Sequence, residues 1–518
     1  KLGAKLPPLI KSKKFGGLDL KERLVHGMSN DYVGVVFDEL LDEVGADTAR
    51  LSILWSERVI TRDPDVLKFI VSTGFPHFGK GEPAEIRFRS FLGKGIFASD
   101  GERAKIVKAL ARPYFARERI SDYNAFRRYS AKTCDILINH AKESRPCDVQ
   151  DLFARFTMDT AGEFLFGRDD FNTLDMPLAQ PNVEMTEVSK SPLVEGGYGN
   201  FVNAFEAVQI LVTKRLAMGT YGWTMAEFFN DPVKKHMRVV DSYLEPLVRD
   251  AVQRRKNVKP EEKGEYKSFL DNLASSTNDV ELIKDQLLNI LIAARDTTAQ
   301  LLSWTCYVLA LHPDIMARLR EEVLATYGES ELPTFENIKT LKYMRAVLDE
   351  VLRLFAPVPV NGRSPFRDAT IVPTRQGPLY FSSAGMLCNW SVPSIHKHKG
   401  LWGEDADKFD PERWIDPARA RKVVENPFMF LPFNGGPRIC LGQQFAYNEA
   451  SFVMVRLMQL FDRFTLAQKE AAPASALPPA SWENANGRKP IEEAWPKNAI
   501  TIYSKGGMWI RMHLASGS

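Results

Sequence analysis

Apolar residues recur every three to four positions through the middle of the chain, a spacing typical of helices with one buried face. Near both ends of the chain, short apolar runs lie between turn residues, as is typical of strands. Helices are predicted, in chain order, at residues 241–255, 282–311, 313–327, 340–355 and 442–461. Strands are predicted at residues 51–55 and 57–60. The pattern predicts a mainly α protein with minor β-sheets, folded as a single large domain.

One predicted helix carries charge inside an apolar stretch. Between Gln286 and Pro313 the only charged residues are Arg295 and Asp296, which lie near the middle. A bilayer would penalise each of these charges by about 2.5–3.5 kcal/mol, so a helix buried in the core of a domain is the better interpretation. The two charges then require a function inside the fold.

The first 29 residues are basic and are interrupted by Pro7-Pro8 and Gly16-Gly17. Such a segment is typical of a solvated linker, and equally of the chain that follows an N-terminal membrane anchor on the cytosolic side. Both interpretations stay open on composition. We predict a linker at residues 1–29 and the main domain at residues 30–518.

Composition excludes several classes of protein. Lys and Arg number 68 against 65 Asp and Glu, and a net charge of +3 gives no broad basic surface for nucleic acid. Five cysteines in 518 residues do not form a disulfide framework and suit a reduced chain. One of them, Cys440, lies in a context that favours chemistry.

Cys440 follows a loop rich in glycine and proline and precedes the last predicted helix. The N–H groups of the loop and of the helix start favour an anionic sulfur and should lower the pKa of the thiol. Gly436 and Gly442 allow backbone approaches that a side chain would block. Arg438 can pair with an anionic group of a ligand, and Phe433 can shield one face of it. Taken singly, these residues would equally suit a buried cysteine and an ordinary turn.

Together the five residues form the pattern Phe-x-x-Gly-x-Arg-x-Cys-x-Gly, which resembles the haem-binding signature of the cytochrome P450 monooxygenases. The resemblance implies the cytochrome P450 fold, a single domain around a buried haem b. It implies that the thiolate of Cys440 is the axial ligand of the iron and pushes electron density toward O–O cleavage. It also implies that Arg438 contacts a haem propionate, that Phe433 packs near the sulfur, and that Gly436 and Gly442 belong to the cofactor-binding loop.

The charged centre of the apolar helix is similar to the acid–alcohol pair that this family carries over the haem. Residues 293–298 supply Asp296 and Thr297. The resemblance implies that Thr297 hydrogen-bonds the oxygen or water at the iron and that Asp296 helps to relay protons. A helix cap is the alternative, but the apolar pattern continues on both sides. Ala294 departs from the usual glycine and leaves the local helix geometry open.

Glu350 and Arg353 lie one helical turn apart and share a face. Alone, such a pair is typical of an exposed surface. In the family it joins a downstream arginine in a buried network, and Arg413 matches that position. These three residues are assigned to folding and to support of the haem loop.

Two further contacts with haem propionates are implied by the resemblance, at Lys108 and at His396. Ala104 replaces the tryptophan that usually lies four residues before the position of Lys108. A surface lysine and a satisfied loop histidine are the alternatives for these two positions.

The substrate pocket of the family corresponds here to apolar segments that contain Phe97, Ala293 and Val358. An apolar pocket suits a hydrocarbon-rich substrate, and ordinary core is the alternative for each residue. The runs 95–101 and 294–299 resemble fungal microsomal members related to alkane and fatty-acid hydroxylases.

The resemblance implies a monooxygenase that inserts one atom of O2 into a C–H bond of a lipophilic small molecule such as a fatty acid or an alkane. Electrons are expected from a separate NADPH-dependent reductase, with cytochrome b5 as a second candidate donor. Residues 30–518 are then a monomeric catalytic domain that faces the cytosol at the endoplasmic reticulum membrane. Residues 1–29 follow a membrane anchor that has been removed.

Two other functions stay open. Some haem-thiolate proteins rearrange or dehydrate peroxides without reductase or O2, and the pair Asp296 and Thr297 argues against that reaction. A non-enzymatic haem sensor would have no use for an acid–alcohol pair in an apolar pocket.

Two other motifs are discounted. Gly93-x-Gly95 formally matches part of a dinucleotide fingerprint but lies outside a βαβ unit. His396, His398 and Cys388 lack the spacing of a four-ligand zinc site.

Overall fold

The computed structural model describes residues 3–54, 56–115, 123–168, 172–184, 196–256, 268–382 and 384–515. Its α-helices, in chain order, are α1 (Leu18–Asn30), α2 (Val35–Asp42), α3 (Pro64–Lys68), α4 (Glu82–Leu92), α5 (Gly101–Ala111), α6 (Asn124–Lys142), α7 (Val149–Phe166), α8 (Gly196–Ala226), α9 (Pro232–Lys256), α10 (Phe269–Ser276), α11 (Val280–Leu311), α12 (Pro313–Tyr327), α13 (Lys342–Leu354), α14 (Val392–His396), α15 (Lys399–Trp402), α16 (Pro417–Glu425), α17 (Gln443–Leu460) and α18 (Gln468–Ala471). Short 3₁₀ segments connect several of these helices, and a π-helical turn, Phe69–Thr73, follows α3.

The strands are short. In chain order they are β1 (Thr48–Ile53), β2 (Ser56–Thr61), β3 (Phe78–Gly79), β4 (Cys147–Asp148), β5 (Val360–Pro365), β6 (Thr370–Val372), β7 (Leu379–Phe381), β8 (Leu387–Ser391), β9 (Phe461–Leu466), β10 (Pro496–Asn498), β11 (Ile502–Ser504) and β12 (Trp509–Leu514). The largest sheet has the order β1-β2-β8-β5-β3, in which β2 and β8 are parallel and the other neighbours antiparallel. A three-stranded sheet, β4-β12-β9, and two hairpins complete the described β structure.

The prediction of a mainly α fold with minor sheets is confirmed. The predicted helices correspond to α9, α11, α12, α13 and α17, and the two predicted strands to β1 and β2. Helix α9 begins at Pro232, well before the predicted start at residue 241, because Val233 and Val240 are both buried although charged residues separate them. Trp55, which was predicted to end the first strand, lies outside the described residues.

Helix α11 runs between two hydrophobic cores. Ile283 and Leu287 belong to one core, whereas Leu302 and Val308 belong to the other. Between these two parts, residues 293, 294 and 297 are only half-buried. The helix therefore has a short segment with partly exposed side chains between its two buried parts. Within the described ranges, none of the helices is both long and apolar enough to cross a lipid bilayer.

The segment predicted as a linker is ordered where the structure describes it. Lys5 bridges to Leu379 and Leu9 bridges to Arg50, so the chain adds to two sheet edges before α1 begins. Leu20 of α1 is buried among apolar residues of α2, β1 and β2. Residues 3–29 thus differ from a solvated linker, because their apolar positions pack against the domain. The membrane anchor expected before them stays a prediction.

Candidate active site

A cavity of about 1090 Å³ lies inside the domain. It is lined by α4, α5, the centre of α11, the largest sheet and the loop that carries Cys440. Of the residues predicted for the site, several line this one cavity: Phe97, Lys108, Ala293, Thr297, Val358, Phe433, Arg438, Cys440 and Gly442. The fold thus brings together residues that lie more than 300 positions apart in the sequence.

The loop before Cys440 is held by its own backbone. The N–H of Cys440 donates to the carbonyl oxygen of Phe433 at 3.0 Å, and the N–H of Ile439 donates to Gly436 at 3.0 Å. Gly436 has a φ of +63°, and a Cβ there would lie 1.9 Å from the carbonyl oxygen of Val71. Only glycine satisfies both conditions, so Gly436 acts in this structure by letting the loop approach the π-helical turn.

Cys440 differs from the other cysteines in its surroundings. Cys134, Cys147, Cys306 and Cys388 are buried, whereas the side chain of Cys440 is accessible from the cavity. Burial by the surrounding protein raises the pKa of the Cys440 thiol, and a backbone hydrogen bond at Gly442 opposes that rise. The sequence predicted a lowered pKa for this thiol. This prediction is corrected, because the protein around Cys440 raises the pKa instead. A bound cation would supply the missing stabilisation of the thiolate.

Four of the cationic residues that line the cavity form the cation cluster: Lys80, Lys108, Arg363 and Arg438. Burial lowers the pKa of Lys80 well below its usual value, and the neighbouring charges of Arg363 and Arg438 lower it further. Burial, followed by the charge of Arg438, lowers the pKa of Arg363 to about 10. Asp100 is the carboxylate that opposes these effects, and it is already bonded to the N–H groups of residues 80 and 81. The cluster therefore favours an anionic ligand.

Two of the predicted propionate contacts, Arg438 and Lys108, belong to this cluster. Arg438 donates to the carbonyl oxygen of Ser99 at 2.7 Å and to a carboxylate oxygen of Asp100 at 3.2 Å. The ammonium group of Lys108 donates to the carbonyl oxygen of Pro437 at 2.6 Å. Both cations are thus positioned by protein bonds at the edge of the haem loop, and their roles toward haem stay predictions.

His396 lies elsewhere, and this prediction is corrected. The side chain is fully buried and is not part of the cavity lining. Its Nδ1 lies 3.1 Å from the carbonyl oxygen of Arg353, and its Nε2 accepts the N–H of Leu431 at 2.8 Å. Burial lowers the pKa of His396 to about 3. Since both ring nitrogens are occupied, His396 is a satisfied core histidine that joins two segments of backbone.

The acid–alcohol pair is divided between two environments. Thr297 lines the cavity, and its hydroxyl donates to the carbonyl oxygen of Ala293 at 2.6 Å. Asp296 is buried outside the cavity lining, with an oxygen 3.0 Å from Nη1 of Arg295. Arg295 also pairs with Glu206 of α8 at 2.6 Å. The two charges in the apolar helix therefore have partners in the fold. Of the acid–alcohol pair, only Thr297 lines the cavity, where it can contact a ligand.

Phe97 is positioned by polar residues of α11 that sequence reasoning did not identify. Asn289 accepts the N–H of Phe97 at 3.0 Å, and Asp285 accepts the N–H of Lys94 at 2.8 Å. A Cβ at Gly95 would lie 2.0 Å from the side chain of Asn289, so the loop needs glycine at this approach. Phe97 itself is 38% exposed and lines the cavity with Val358.

Glu350, Arg353 and Arg413 meet in a buried network. Arg353 forms a fork with the carboxylate of Glu350 at 2.7 and 2.8 Å and donates to three backbone carbonyl groups. Arg413 lies 3.5 Å from Glu350 and binds Asp405. The network joins α13 to the segment that leads toward the haem loop, and its supporting role stays a prediction.

The cavity contains residues that the sequence did not indicate, chiefly Lys80 and Arg363. A lysine beside a glycine and an arginine in a short strand carry no distinctive local signal. Their significance comes from the cavity, where they complete the cation cluster.

The buried carboxyl group of Glu449 in α17 leads to a pH-dependent prediction. It is 1% exposed, and burial raises its pKa from 4.5 to about 8, opposed by a hydrogen bond from Thr298. Between those two pH values the folded state binds more protons than the unfolded state, so stability falls as the pH rises. In the wild type, the free energy of unfolding should fall by on the order of a few kcal/mol by pH 9 because of this carboxyl group. We expect Glu449→Gln to remove that fall in stability.

The measurement is the free energy of unfolding of wild type and Glu449→Gln from pH 5 to pH 9. Glu425→Gln, at an exposed position in α16, is the control and should follow the wild-type profile. Parallel profiles for wild type and Glu449→Gln would show that this carboxyl does not titrate abnormally in the folded protein.

The cavity fits haem b on two observations of this structure. Its accessible cysteine supplies the thiolate that haem iron binds, and its cation cluster supplies counter-charges for two propionates. The fold and this site define a haem-thiolate protein.

The comparisons with known proteins agree with this class. The family model described as Cytochrome P450 matches residues 29–481. Cytochrome P450 52A12 of Debaryomyces hansenii is 35% identical to the chain, over 92% of the chain and 90% of that protein. Cytochrome P450 52A3-A of Candida maltosa is 39% identical over 78% of the chain and 75% of that protein. The solved haem domain of cytochrome P450DA matches the fold with a TM-score of 0.73 at 19% identity, over 99% of this chain and 98% of that one.

The chain belongs to the cytochrome P450 family. It is a haem-thiolate monooxygenase, an oxidoreductase that uses haem b, O2 and electrons that NADPH supplies through a reductase. The predicted family, enzyme class and cofactors are confirmed.

Proposed function

We propose that this monooxygenase hydroxylates a lipophilic, hydrocarbon-rich substrate such as a fatty acid or an alkane. The observation that carries the proposal is the lining of the cavity, which brings Thr297 and Cys440 together with many apolar side chains. The apolar residues of the lining include Ile96, Phe97, Ile292 and Val358. An apolar lining favours a hydrocarbon chain, since burial stabilises it by roughly 25 cal/mol per Å² of apolar surface.

Haem b, when bound, supplies the activation of O2 at an iron that a thiolate holds. In our proposal Cys440 provides that thiolate, while the cation cluster neutralises the propionates. Phe433 lies in the same loop, with its ring centroid 5.2 Å from that of Tyr447. In the proposal it packs near the sulfur and limits the access of water to it. Phe97, Ala293 and Val358 contact the substrate and exclude water from the reacting carbon.

Thr297 is the residue proposed to hold and move a proton in the cavity. Its hydroxyl donates to Ala293 and keeps lone pairs that can accept a hydrogen bond from a ligand or water. Asp296 is proposed as the relay to solvent. Because its carboxylate is paired with Arg295, it carries protons only when its side chain leaves that pair.

The proposal includes the setting of the enzyme. We propose a monomeric catalytic domain of residues 30–518 on the cytosolic face of the endoplasmic reticulum membrane, held by an anchor before residues 1–29. Cytochrome b5 is proposed as a second electron donor beside the reductase. The basic residues of the N-terminal segment support a position next to a membrane surface.

The deciding experiment is turnover of the holoenzyme with NADPH, a fungal cytochrome reductase and a panel of fatty acids, alkanes, terpenoids and aromatic compounds. We expect hydroxylated fatty acids or alkanes that contain one oxygen atom from labelled O2. Product from a lipid hydroperoxide without NADPH and O2 would favour the peroxide-rearranging alternative. Binding spectra that no lipophilic compound changes would favour the sensor alternative.

Thr297→Ala is expected to lower the yield of product per NADPH, with a rise in hydrogen peroxide. The hydroxyl of Thr297 is a polar group of α11 that lines the cavity, so its loss should cost about 100-fold in coupled turnover, at the lower end of the range for a positioned proton donor. The measurement is the ratio of peroxide to product at saturating substrate.

Thr305→Ala is the matched control for Thr297. Thr305 lies in the same helix and donates to a carbonyl oxygen one turn earlier, at 2.7 Å, but it is buried away from the cavity. Its loss should leave the ratio of peroxide to product unchanged. Equal ratios in wild type and Thr297→Ala would remove Thr297 from proton delivery.

A further inference from the structure

One tyrosine lies next to the loop that carries Cys440 but outside the cavity lining. Tyr447 of α17 is 4% exposed, and its ring centroid lies 5.2 Å from that of Phe433, which lines the cavity. The carbonyl oxygen of Phe433 accepts the N–H of Cys440 at 3.0 Å. Phe433 therefore connects the ring of Tyr447 to the cavity and to the residue that is expected to hold the iron.

The phenol group of Tyr447 has a carboxylate as its partner. Its hydroxyl donates to Asp349 of α13 at 2.5 Å, within the range of hydrogen bonds from a hydroxyl to a charged oxygen. Burial raises the pKa of Asp349, and the charge of Arg345 opposes that rise. A carboxylate with a raised pKa accepts a proton more readily than an ordinary aspartate does. Asp349 is therefore placed to take the proton of Tyr447.

Arg345 links this pair to the protein surface. Its guanidinium carbon lies 3.5 Å from the ring centroid of Tyr447, and its Nε donates to Asp349 at 3.0 Å. The side chain of Arg345 is 48% exposed, whereas that of Asp349 is 12% exposed. A positive charge on the Tyr447 ring would lie beside this cation in a poorly solvated site, which is unfavourable. The ring is therefore expected to lose an electron only together with its proton.

Three features thus meet at Tyr447, namely contact with the haem loop, a proton acceptor and a connection to solvent. Two other tyrosines, Tyr32 and Tyr307, also donate to a carboxylate, that of Glu492. Their aromatic neighbours in the described ranges lie outside the cavity lining: Trp482, Trp304 and Phe355. The site of Tyr447 therefore differs from that of a buried tyrosine that has only a hydrogen-bond partner.

We propose that Tyr447 is a redox-active residue that protects the enzyme from oxidative damage. When the oxidising power generated from O2 is not used on a substrate, one electron passes from the ring of Tyr447, through the contact with Phe433, to the haem site. The hydroxyl proton moves to Asp349, which leaves a neutral tyrosyl radical and a protonated carboxyl group. The oxidising equivalent is thereby moved away from Cys440 and toward solvent.

Tyr447 is then restored by a thiol in solution. A thiolate gives one electron to the tyrosyl radical near Arg345, and the proton held by Asp349 returns to the phenol oxygen. Two thiyl radicals combine to a disulfide, so two cycles consume two thiols and release their two protons to solvent. This function goes beyond hydroxylation and does not depend on which substrate the enzyme oxidises.

The first test detects the radical directly. Ferric holoenzyme without substrate is mixed with peracetic acid, frozen within milliseconds and examined by electron paramagnetic resonance. We expect an organic radical signal in the wild type that narrows when the protein contains ring-deuterated tyrosine. Tyr447→Phe should lose this signal. A signal of equal size in wild type and Tyr447→Phe would overturn the proposal, as would a wild type without any tyrosine signal.

The second test separates the redox role from a structural one. Asp349→Asn keeps an oxygen that can accept the hydrogen bond of Tyr447 but cannot act as a base. It should slow formation of the radical by about 100-fold, at the lower end of the range for a positioned base. A bond that only joins α13 to α17 would leave this rate unchanged. The rate is followed in samples frozen at successive times, and the free energy of unfolding of each variant checks that the fold is kept.

Tyr343→Phe is the matched control for Tyr447→Phe. Tyr343 lies in α13, is 6% exposed and has the guanidinium carbon of Arg318 4.1 Å from its ring centroid, but it does not line the cavity. This variant should keep the wild-type radical signal.

The third test measures the protection itself. During turnover with NADPH and reductase but without substrate, Tyr447→Phe should lose its haem absorbance faster than wild type and Tyr343→Phe do. Glutathione should slow that loss in the wild type but not in Tyr447→Phe. Equal rates of loss in all three proteins would show that oxidation of Tyr447 protects nothing.

Failure of this inference is distinct from failure of the proposed function. If fatty acids or alkanes are hydroxylated while no tyrosine radical forms, the hydroxylase proposal holds and the redox role of Tyr447 does not. The radical test uses no substrate, so its outcome is independent of the substrate class.

Discussion

Cys440→Ser is expected to abolish monooxygenase activity and to remove the red-shifted absorption band that the ferrous carbon monoxide complex of a thiolate-bound haem shows. A serine hydroxyl is a weaker and harder ligand than a thiolate, and it does not push electron density toward O–O cleavage. The fall in turnover should exceed the roughly 10- to 100-fold that is typical when a supporting partner of a metal ligand is lost. The measurements are the carbon monoxide difference spectrum and product formation with reductase and NADPH.

The control for Cys440→Ser is Cys134→Ala. Cys134 is buried in a hydrophobic core and does not line the cavity. Burial also raises the pKa of its thiol to about 12. This variant should keep the thiolate-type band. A Cys440→Ser protein that retains the band would show that another residue holds the iron.

Arg353→Met is expected to destabilise the protein by about 3–5 kcal/mol, the cost of removing one partner of a buried ion pair. Both Arg353 and Glu350 are 0% exposed, so the carboxylate would stay buried without its fork of hydrogen bonds. Three backbone carbonyl groups, those of His396, Ala406 and Lys408, would also lose a donor. The measurement is the free energy of unfolding in urea, together with the fraction of chains that take up haem.

Arg421→Met is the matched control for this substitution. Arg421 pairs with Glu425 on the exposed surface of α16, where an ion pair contributes about 0–1 kcal/mol. Its loss should leave both stability and haem uptake close to wild type. A loss of less than about 1 kcal/mol for Arg353→Met would show that the buried network is not a main support of the fold.

Local sequence was sufficient for the features that depend on residues close in the chain. The periodicity of the long helices predicted α11, α12, α13 and α17 because burial of one helical face repeats every three to four residues. The pattern around Cys440 indicated the iron ligand and its family because five residue types recur at set spacing within ten positions. The charges at Arg295 and Asp296 were also recognised as functional or structural, since an apolar helix seldom carries them without partners.

Only the tertiary structure decided which distant residues face the same cavity. His396 matched a family position, but both of its ring nitrogens are bonded to the backbone of Arg353 and Leu431. Arg363 and Lys80 line the cavity although no local motif indicates them. The physical reason is that spacing along the chain determines which residues share a helix face or a turn, while burial and neighbouring charge arise from segments hundreds of residues apart. The sequence thus determined the class of chemistry, and the packing of α4, α11 and the largest sheet decided which residues line the cavity.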